Sequence, residues 1–292
     1  MQATKRKVTV VIPTYKRAHL LAETIPTYLQ PDVEELILVD DCSPDDTTAV
    51  AQKLMQTYPR ISYLRNETNS KQTVSKNRGK TLAETDYIYF GDDDSILSDG
   101  GIAMLLESAE KSGCEIVGAS ALYLRNDADT LRSILARRKQ VDNADAIVNL
   151  SELHFDCSTT TRAPIELPVC QASFLIRTEA ARSVDFDTGY VGNCYREETD
   201  YLIRCRALGY RIIYDSRVTQ INLPPSKATG GARGRGRLSY EGYALYNTVR
   251  FILKNQSILT QLDHRCRSGA MISRYIMGRI RSAMARFKAP AQ

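Results

Sequence analysis

Short apolar runs alternate with segments of helical periodicity through the first 125 residues. The apolar runs, rich in β-branched residues, are Val8–Pro13, Leu36–Asp41, Ile61–Leu64 and Tyr87–Phe90. Between them lie three segments typical of helices, near Ala18–Leu29, Asp45–Tyr58 and Thr73–Glu84. Continuous apolar strands separated by helices are typical of a mainly parallel sheet covered on both faces. The pattern therefore predicts an α/β fold.

Polar clusters follow three of these runs, where each predicted strand ends. They read PTYKR at Pro13–Arg17, DDCSPDD at Asp40–Asp46 and GDDDS at Gly91–Ser95. Ligands of open α/β sheets bind at the carboxyl ends of the strands. We therefore expect the three clusters to line one binding site.

The pattern is looser in the second half, above all between about Arg125 and Leu167. Beyond it, the predicted elements are a strand running into a short helix (Ala172–Val184), an amphipathic helix (Arg196–Tyr210), two short strands (Arg211–Leu223), a mobile Gly- and Arg-rich loop (224–237) and a helix (Ser239–Asn255).

Positive charge is concentrated in the C-terminal part. Residues 216–292 carry 14 Lys and Arg against 2 Asp and Glu, whereas residues 1–215 carry 25 against 32. Ala270–Lys288 places apolar residues on one helix face with arginines beside it, which is typical of helices lying on an anionic membrane. The alternative is a helix packed on its own domain or on a partner. With no spanning run and no evident signal peptide, we expect a cytoplasmic protein, peripheral to the inner face of the membrane if this helix binds lipid.

The cysteines and histidines argue against two kinds of site. Seven cysteines include no CxxC pair, and the three histidines lack ligand spacing. A disulfide framework and a zinc site are therefore not expected.

Asp92, Asp93 and Asp94 form the most unusual cluster, three carboxylates after a buried strand. Magnesium keeps several waters and takes one or two protein carboxylates, so three aspartates suffice to bind a metal-bound diphosphate and a ribose hydroxyl. The alternative is a cap for the next helix, which needs only one such residue.

Other charged residues could have either a binding role or an ordinary structural one. Asp40 and Asp41 could accept hydrogen bonds from a base or ribose, or form a turn. Lys76 and Arg78 could approach a diphosphate, or be solvated helix charges.

The motif REETD contains Glu197 and Glu198 at a predicted helix start. A carboxylate there could act as general base toward an acceptor hydroxyl. The alternative is an acidic first turn that interacts favourably with the helix dipole.

These motifs, in this order, resemble glycosyltransferase family 2, which comprises inverting enzymes of the GT-A fold. The resemblance is carried by VTVVIPTYKR, LILVDDCSPDDT, SKNRGKTLAETDYIYFGDDDS, ASFLIR and REETDYLIRCRALGYRI. It implies a GT-A Rossmann-like fold, a central mainly parallel sheet flanked by helices, with a Mg²⁺ or Mn²⁺ ion. The implied divisions are a catalytic domain (1–223), made of a nucleotide-sugar-binding half (about 1–125) and an acceptor-binding half (about 126–223), and a mobile loop with a basic helical extension (224–292).

The resemblance also implies roles for individual residues. Those matching the nucleotide-sugar site are Pro13, Thr14, Tyr15, Arg17, Asp41, Lys76, Asp92 and Asp93, with Asp94 as the metal ligand. Glu198 stands at the place of the catalytic base, and Glu197 is the alternate. Arg233 and Arg235 fall in a loop that closes over the substrates in relatives, where they could contact the diphosphate.

Three positions depart from the family pattern. Lys76 stands where Arg is common, which keeps the charge but loses the planar fork. Glu198 stands where Asp is usual, and Asn222 where many relatives have a metal-binding His. Any metal should therefore rest mainly on the aspartates, the donor phosphates and water.

The expected function is transfer of a sugar from a nucleotide-diphosphate sugar, with a UDP-sugar the leading candidate, to a glycan or lipid-linked acceptor in cell-surface polysaccharide or glycolipid synthesis. A sugar nucleotidyltransferase should have a Gly-rich loop after the first strand, and PTYKRAHL has no glycine. A nucleic-acid-binding protein would use the Arg-rich tail, but this hypothesis leaves the three aspartates unexplained.

Overall fold

The structure is a computed structural model that describes residues 6–171, 173–231 and 236–288. Its strands are β1 (Val8–Thr14), β2 (Val33–Asp40), β3 (Ile61–Arg65), β4 (Tyr87–Phe90), β5 (Ser95–Leu97), β6 (Ile116–Tyr123), β7 (Val148–Asn149), β8 (His154–Phe155), β9 (Ile165–Glu166), β10 (Phe174–Arg177) and β11 (Ile212–Asn222). Its α-helices are α1 (Ala18–Thr24), α2 (Thr47–Thr57), α3 (Lys71–Leu82), α4 (Gly101–Ser112), α5 (Leu131–Arg137), α6 (Ala144–Ile147), α7 (Thr178–Ser183), α8 (Glu197–Ala207), α9 (Arg237–Lys254), α10 (Gln256–Leu262) and α11 (Ser268–Lys288).

Within these ranges, nine strands form one sheet in the order β3-β2-β1-β4-β10-β6-β11-β5, with β9 beside β11. The predicted parallel arrangement is confirmed for β1 to β4. The rest is mixed, because β10 is inserted antiparallel between β4 and β6, and β5 and β9 pair antiparallel with β11. The parallel half brings the ends of β1, β2 and β4 to one edge.

Both faces of the sheet are buried, which explains the continuous apolar runs. In β1, Val10 and Ile12 pack into one hydrophobic cluster while Val11 faces the other. Helix α3 lies directly against this strand, since a Cβ on Gly79 would come 2.4 Å from Val11 Cγ1. The close approach of α3 matters for function because the helix carries Lys76.

The C-terminal helices α9 and α10 pack against α8. Phe251, Ile252 and Leu259 are fully buried in the cluster that also contains α8 residues. Asp200 of α8 accepts a hydrogen bond from Asn255 Nδ2 at 2.7 Å and pairs with Lys254 at 3.0 Å. The REETD aspartate therefore anchors these helices.

One sequence prediction differs from the structure, and one strand was not predicted. Arg211–Leu223 was expected to form two strands, but β11 is a single strand whose register with β6 shifts between Asp215 and Thr219. Strand β5, too short to show a periodic pattern, was not predicted.

All seven cysteines are free. None of the described helices is long and apolar enough to cross a membrane.

Candidate active site

The three polar clusters meet at one edge of the sheet and line a cleft of about 230 Å³. Eight of the residues that were expected at the nucleotide-sugar and metal sites line it: Pro13, Thr14, Tyr15, Arg17, Asp41, Asp92, Asp93 and Asp94. The remaining lining residues were missed, because they share no motif: Asn69, Lys71, Gln72, Gly192, Asn193, Cys194, Gly231 and Tyr240. Arg233 and Arg235 lie outside the described residues.

The aspartate cluster, Asp92–Asp94, is fixed by hydrogen bonds from neighbouring elements. Thr14 Oγ1 donates to Asp93 Oδ2 at 2.8 Å, and Gln220 Nε2 donates to Asp92 Oδ2 at 3.2 Å. Burial, opposed only in part by Lys76 for Asp92 and by Arg17 for Asp93, raises the pKa of Asp92 to about 6 and that of Asp93 to about 7. These two carboxyl groups are therefore harder to ionise than an aspartate in water.

Arg17 lies beside this cluster as a partly satisfied cation. Its Nη2 lies 3.2 Å from Asp94 Oδ2, and its Nε lies 4.0 Å from Asp93 Oδ1. Its buried Nε and Nη1 atoms donate no hydrogen bond to any of the residues that the structure describes. The guanidinium therefore retains donors for an anionic ligand in the cleft.

The aspartate cluster fits a divalent ion of the magnesium type. In the described part of the chain, no group of three or more His, Cys, Asp or Glu side chains converges on one point. Magnesium and manganese do not need such a cage, since one or two carboxylates with phosphate and water oxygens suffice. Asn222 uses its amide Nδ2 to donate to Leu122 O at 3.2 Å.

Asp40 and Asp41 have different environments. Asp40 is fully buried and accepts hydrogen bonds from Tyr63 Oη at 2.7 Å and from Arg65 Nη1 at 2.5 Å. Asp41 lines the cleft and accepts from the backbone N–H groups of Ser70 and Lys71 at 2.7 and 2.8 Å. Asp41 therefore fixes the start of α3 beside the cleft, and Asp40 is structural.

Backbone strain is concentrated around the cleft. Of the six non-glycine residues with positive φ in the described ranges, five line the cleft or lie within two residues of its lining: Lys16, Cys42, Lys71, Cys194 and Arg196. Such conformations cost on the order of 1–3 kcal/mol each and cluster at functional sites. Arg196, with φ of 76°, directly precedes α8 and its two glutamates.

Glu197 and Glu198 form a second acidic group, the glutamate pair, held by Lys76. Lys76 Nζ lies 2.7 Å from Glu197 Oε1 and 2.6 Å from Glu198 Oε1. Lys76 is 1% exposed, Glu197 is fully buried, and the Glu198 side chain is 17% exposed. The ammonium, expected at the diphosphate, is thus engaged with the glutamates. Arg78, the other candidate, donates to Arg65 O and Asn66 Oδ1.

The two glutamates differ in pKa. Burial and the charge of Glu198 raise the pKa of Glu197 well above its usual value. Burial also acts on Glu198, but Lys76 and a hydrogen bond with Glu197 outweigh it and lower the pKa of Glu198. Glu198 is therefore the ionised member near neutral pH, as a general base must be.

A second cavity, of about 300 Å³, opens at the end of β6. Its lining includes two aromatic rings, Tyr123 and Phe155, and the charged side chains Arg125, Arg138 and Asp156. Burial, together with the charges of Asp92 and Glu198, raises the pKa of Tyr123 in its lining. It lies largely in the segment where the sequence pattern was weakest, and no signal pointed to it.

Comparison with known proteins agrees with this geometry. The family model for glycosyl transferase family 2 matches residues 9–163, just over half of the chain. A curated relative from Campylobacter jejuni, named GalNAc(5)-diNAcBac-PP-undecaprenol beta-1,3-glucosyltransferase, is 34% identical over 116 residues. That match covers 38% of this chain and only 37% of the relative's length.

Solved structures with the same fold include two with bound nucleotides. The mannosyltransferase PcManGT from Pyrobaculum calidifontis, in complex with GDP-Man and Mn²⁺, has a TM-score of 0.60 at 16% identity, covering 99% of this chain and 77% of that one. S. aureus TarS 1–349, in complex with UDP, has a TM-score of 0.53 at 15% identity, covering 88% and 75%. At these identities the likeness is one of fold, and it confirms the expected GT-A architecture.

Proposed function

Because this chain belongs to glycosyltransferase family 2, we propose that it transfers a sugar, with inversion, from a nucleotide-diphosphate sugar to a glycan or lipid-linked acceptor in cell-surface polysaccharide or glycolipid synthesis. The observation that carries the proposal is the aspartate cluster beside Arg17, at the sheet edge where three strands end. A UDP-sugar is the proposed donor.

The donor's diphosphate and ribose would occupy the cleft. Asp94 would hold a Mg²⁺ or Mn²⁺ ion, with Asp92 or Asp93 directed to the ribose. When bound, the ion neutralises charge that develops on the leaving diphosphate. The Nε and Nη1 atoms of Arg17, which make no hydrogen bond within the described ranges, would donate to the same phosphate oxygens.

Glu198 would act as the general base. Its carboxylate takes the proton of the attacking acceptor hydroxyl as that oxygen bonds to the anomeric carbon. The bond from this carbon to the diphosphate breaks on the opposite side, and the diphosphate leaves with the electron pair. A single displacement of this kind inverts the anomeric centre.

The second cavity would receive the acceptor. Tyr123 and Phe155 offer apolar faces to a sugar ring, while Asp156 and the arginines offer hydrogen bonds to hydroxyl groups. The charges of Asp92 and Glu198 act on Tyr123 of its lining, which supports the assignment, because the acceptor hydroxyl must reach both the base and the donor.

A comparison of nucleotide-sugar donors tests the proposal. The purified protein would be incubated with Mn²⁺ and with radiolabelled UDP-, GDP-, CDP- or dTDP-sugars, and release of nucleoside diphosphate would be followed. We expect metal-dependent release with one nucleotide class, increased by lipid-linked acceptor extracts. Absence of release from every donor, by a protein that stays folded, would contradict the proposal.

Membrane docking through the C-terminal helices is a separate part of the proposal. Helix α11 exposes Met277, Ile280 and Met284, and α9 exposes Tyr246 and Leu253. These apolar side chains occur in a segment with 14 basic and 2 acidic residues, which suits an anionic lipid surface.

Liposome sedimentation tests the docking. The double variant Ile280→Ser/Met284→Ser should bind vesicles rich in phosphatidylglycerol several-fold more weakly than the wild type. Leu82→Ser, which changes an exposed leucine at the end of α3, is the matched control and should bind normally. Equal binding by all three proteins would exclude α11 as the contact.

A further inference from the structure

The buried group formed by Lys76, Glu197 and Glu198 has one positive charge for two carboxyl groups. Lys76 Nζ contacts both carboxylates within 2.7 Å. The group is nearly closed to water, since Lys76 and Glu197 are 1% and 0% exposed. A net negative charge buried in this way is costly, so a proton should be retained by one of the carboxyl groups.

The hydrogen bonds indicate which carboxyl group holds the proton. Glu197 Oε1 accepts from Lys76 Nζ at 2.7 Å and from Gln72 Nε2 at 2.9 Å. Glu197 Oε2 is buried and receives no hydrogen bond from any donor in the described part of the chain. An ionised oxygen without a donor is unfavourable there, whereas a protonated Oε2 can donate to the neighbouring Glu198 carboxylate, with which Glu197 is hydrogen-bonded.

On the basis of the proposed function, we infer that Lys76 and Glu197 are positioning residues for the base Glu198. Lys76 holds the Glu198 carboxylate by an ion pair, and Glu197 holds it by donating a hydrogen bond from its protonated Oε2. This assigns Lys76 to the base rather than to the donor diphosphate. Glu198 then stays ionised and fixed, with 17% of its side chain exposed for contact with a substrate.

The same helix supplies a matched control for Lys76. Lys80 lies one turn further along α3, is 3% exposed, and pairs with Asp185 at 2.8 Å. Its Nζ also donates to Ala181 O at 2.9 Å, away from the glutamates. Lys80→Met therefore removes a buried ammonium from α3 without removing a contact of Glu198.

Steady-state kinetics across pH test the assignment. For Lys76→Met we expect kcat to fall at least 30-fold and the acid limb of its pH profile to move to higher pH, because the Glu198 carboxylate loses its cation. UDP affinity and donor KM should stay within about three-fold of the wild type. Lys76→Arg should restore part of kcat and return the acid limb toward the wild-type position. Lys80→Met should keep the wild-type profile.

Several results would overturn the inference. A ten-fold loss of UDP affinity in Lys76→Met with an unmoved pH profile would assign Lys76 to the donor. Glu197→Gln keeps a donating N–H and should lower kcat less than ten-fold, whereas Glu198→Gln should lower it more than 100-fold; equal losses would contradict the pairing. If Lys76→Met fails to fold, the pH profile of Lys76→Arg and the kcat of Glu197→Gln test the inference instead.

Infrared spectroscopy tests the proton without any catalytic assay. At pH 7 the carbonyl stretch of a protonated carboxyl group should be present in the wild type and in Lys80→Met, and should lose intensity in Glu197→Gln. No loss would overturn the inference even if the protein transferred no sugar. A wild type without transfer but with this band would instead count against the proposed function alone.

Discussion

The aspartate cluster and the glutamate pair are two buried acidic groups of one site, and their charges are compensated differently. The glutamate pair has its cation inside the protein, with Lys76 in contact with both carboxylates. The aspartate cluster has three carboxylates and the partly engaged Arg17, and burial raises the pKa of two of them. Glu198 is therefore ionised within its own ion pair, whereas Asp92 and Asp93 have raised pKa values that a bound cation would lower.

This difference suggests a division of labour along the reaction. In the proposed reaction, Asp92–Asp94 would take a divalent ion carrying phosphate oxygens, so this group would serve the leaving side. The compensated pair keeps one ionised carboxylate, Glu198, for a proton from the attacking side. The predictions below test the two groups separately.

Removal of the base should have the largest effect. Glu198→Gln keeps the shape and the contact with Lys76 but cannot accept a proton, so kcat should fall by roughly 10²–10⁴. Nucleotide binding, measured by thermal shift with UDP and Mn²⁺, should be nearly unchanged. Glu179→Gln, an exposed carboxylate on α7, serves as the control. Loss of nucleotide binding in Glu198→Gln would mean that the roles of the two groups are exchanged.

Loss of one cluster carboxylate should have an intermediate effect. In Asp94→Asn, the stabilisation that UDP gives in the presence of Mn²⁺ should weaken at least about ten-fold in affinity, or about 1.4 kcal/mol. Metal-free UDP binding should change little. Asp99→Asn, an exposed neighbour, should behave as the wild type. Equal weakening with and without metal would argue against Asp94 as a ligand.

The pH dependence of stability should show the smallest effect. With native pKa values of about 6 and about 7 for Asp92 and Asp93, against 3.8 in the unfolded chain, the native state binds more protons. Unfolding then releases protons, so lowering the pH from 8 to 6 should stabilise the metal-free protein by about 1–2 kcal/mol. Urea unfolding measures this, and Asp93→Asn should remove most of the gain. An undiminished gain in that variant would place the titrating group elsewhere.

How far the sequence predicted this site depends on the distance between interacting residues. The strands before the aspartates follow from local patterns, because residues next to one another in sequence determine a buried strand and its end. The meeting of Pro13–Arg17, Asp41 and Asp92–Asp94 also followed, since parallel strands end on one edge.

The partners of Lys76, which are Glu197 and Glu198, could not be predicted, because they lie 121 and 122 residues away in sequence. A lysine on a polar helix gives no local signal that it will be fully buried. The second cavity was missed for a similar reason, since its wall includes short elements without periodicity, such as α5 and β8. Long-range packing, rather than local pattern, determines these features.

Isothermal titration of UDP, with and without Mn²⁺, tests the central claim most directly. The claim is that a metal ion held by the aspartate cluster strengthens binding of the nucleoside diphosphate. We predict measurable UDP binding that strengthens at least ten-fold on addition of Mn²⁺, with GDP titrated in parallel to identify the base. UDP and GDP affinities that do not change with Mn²⁺ would contradict the account.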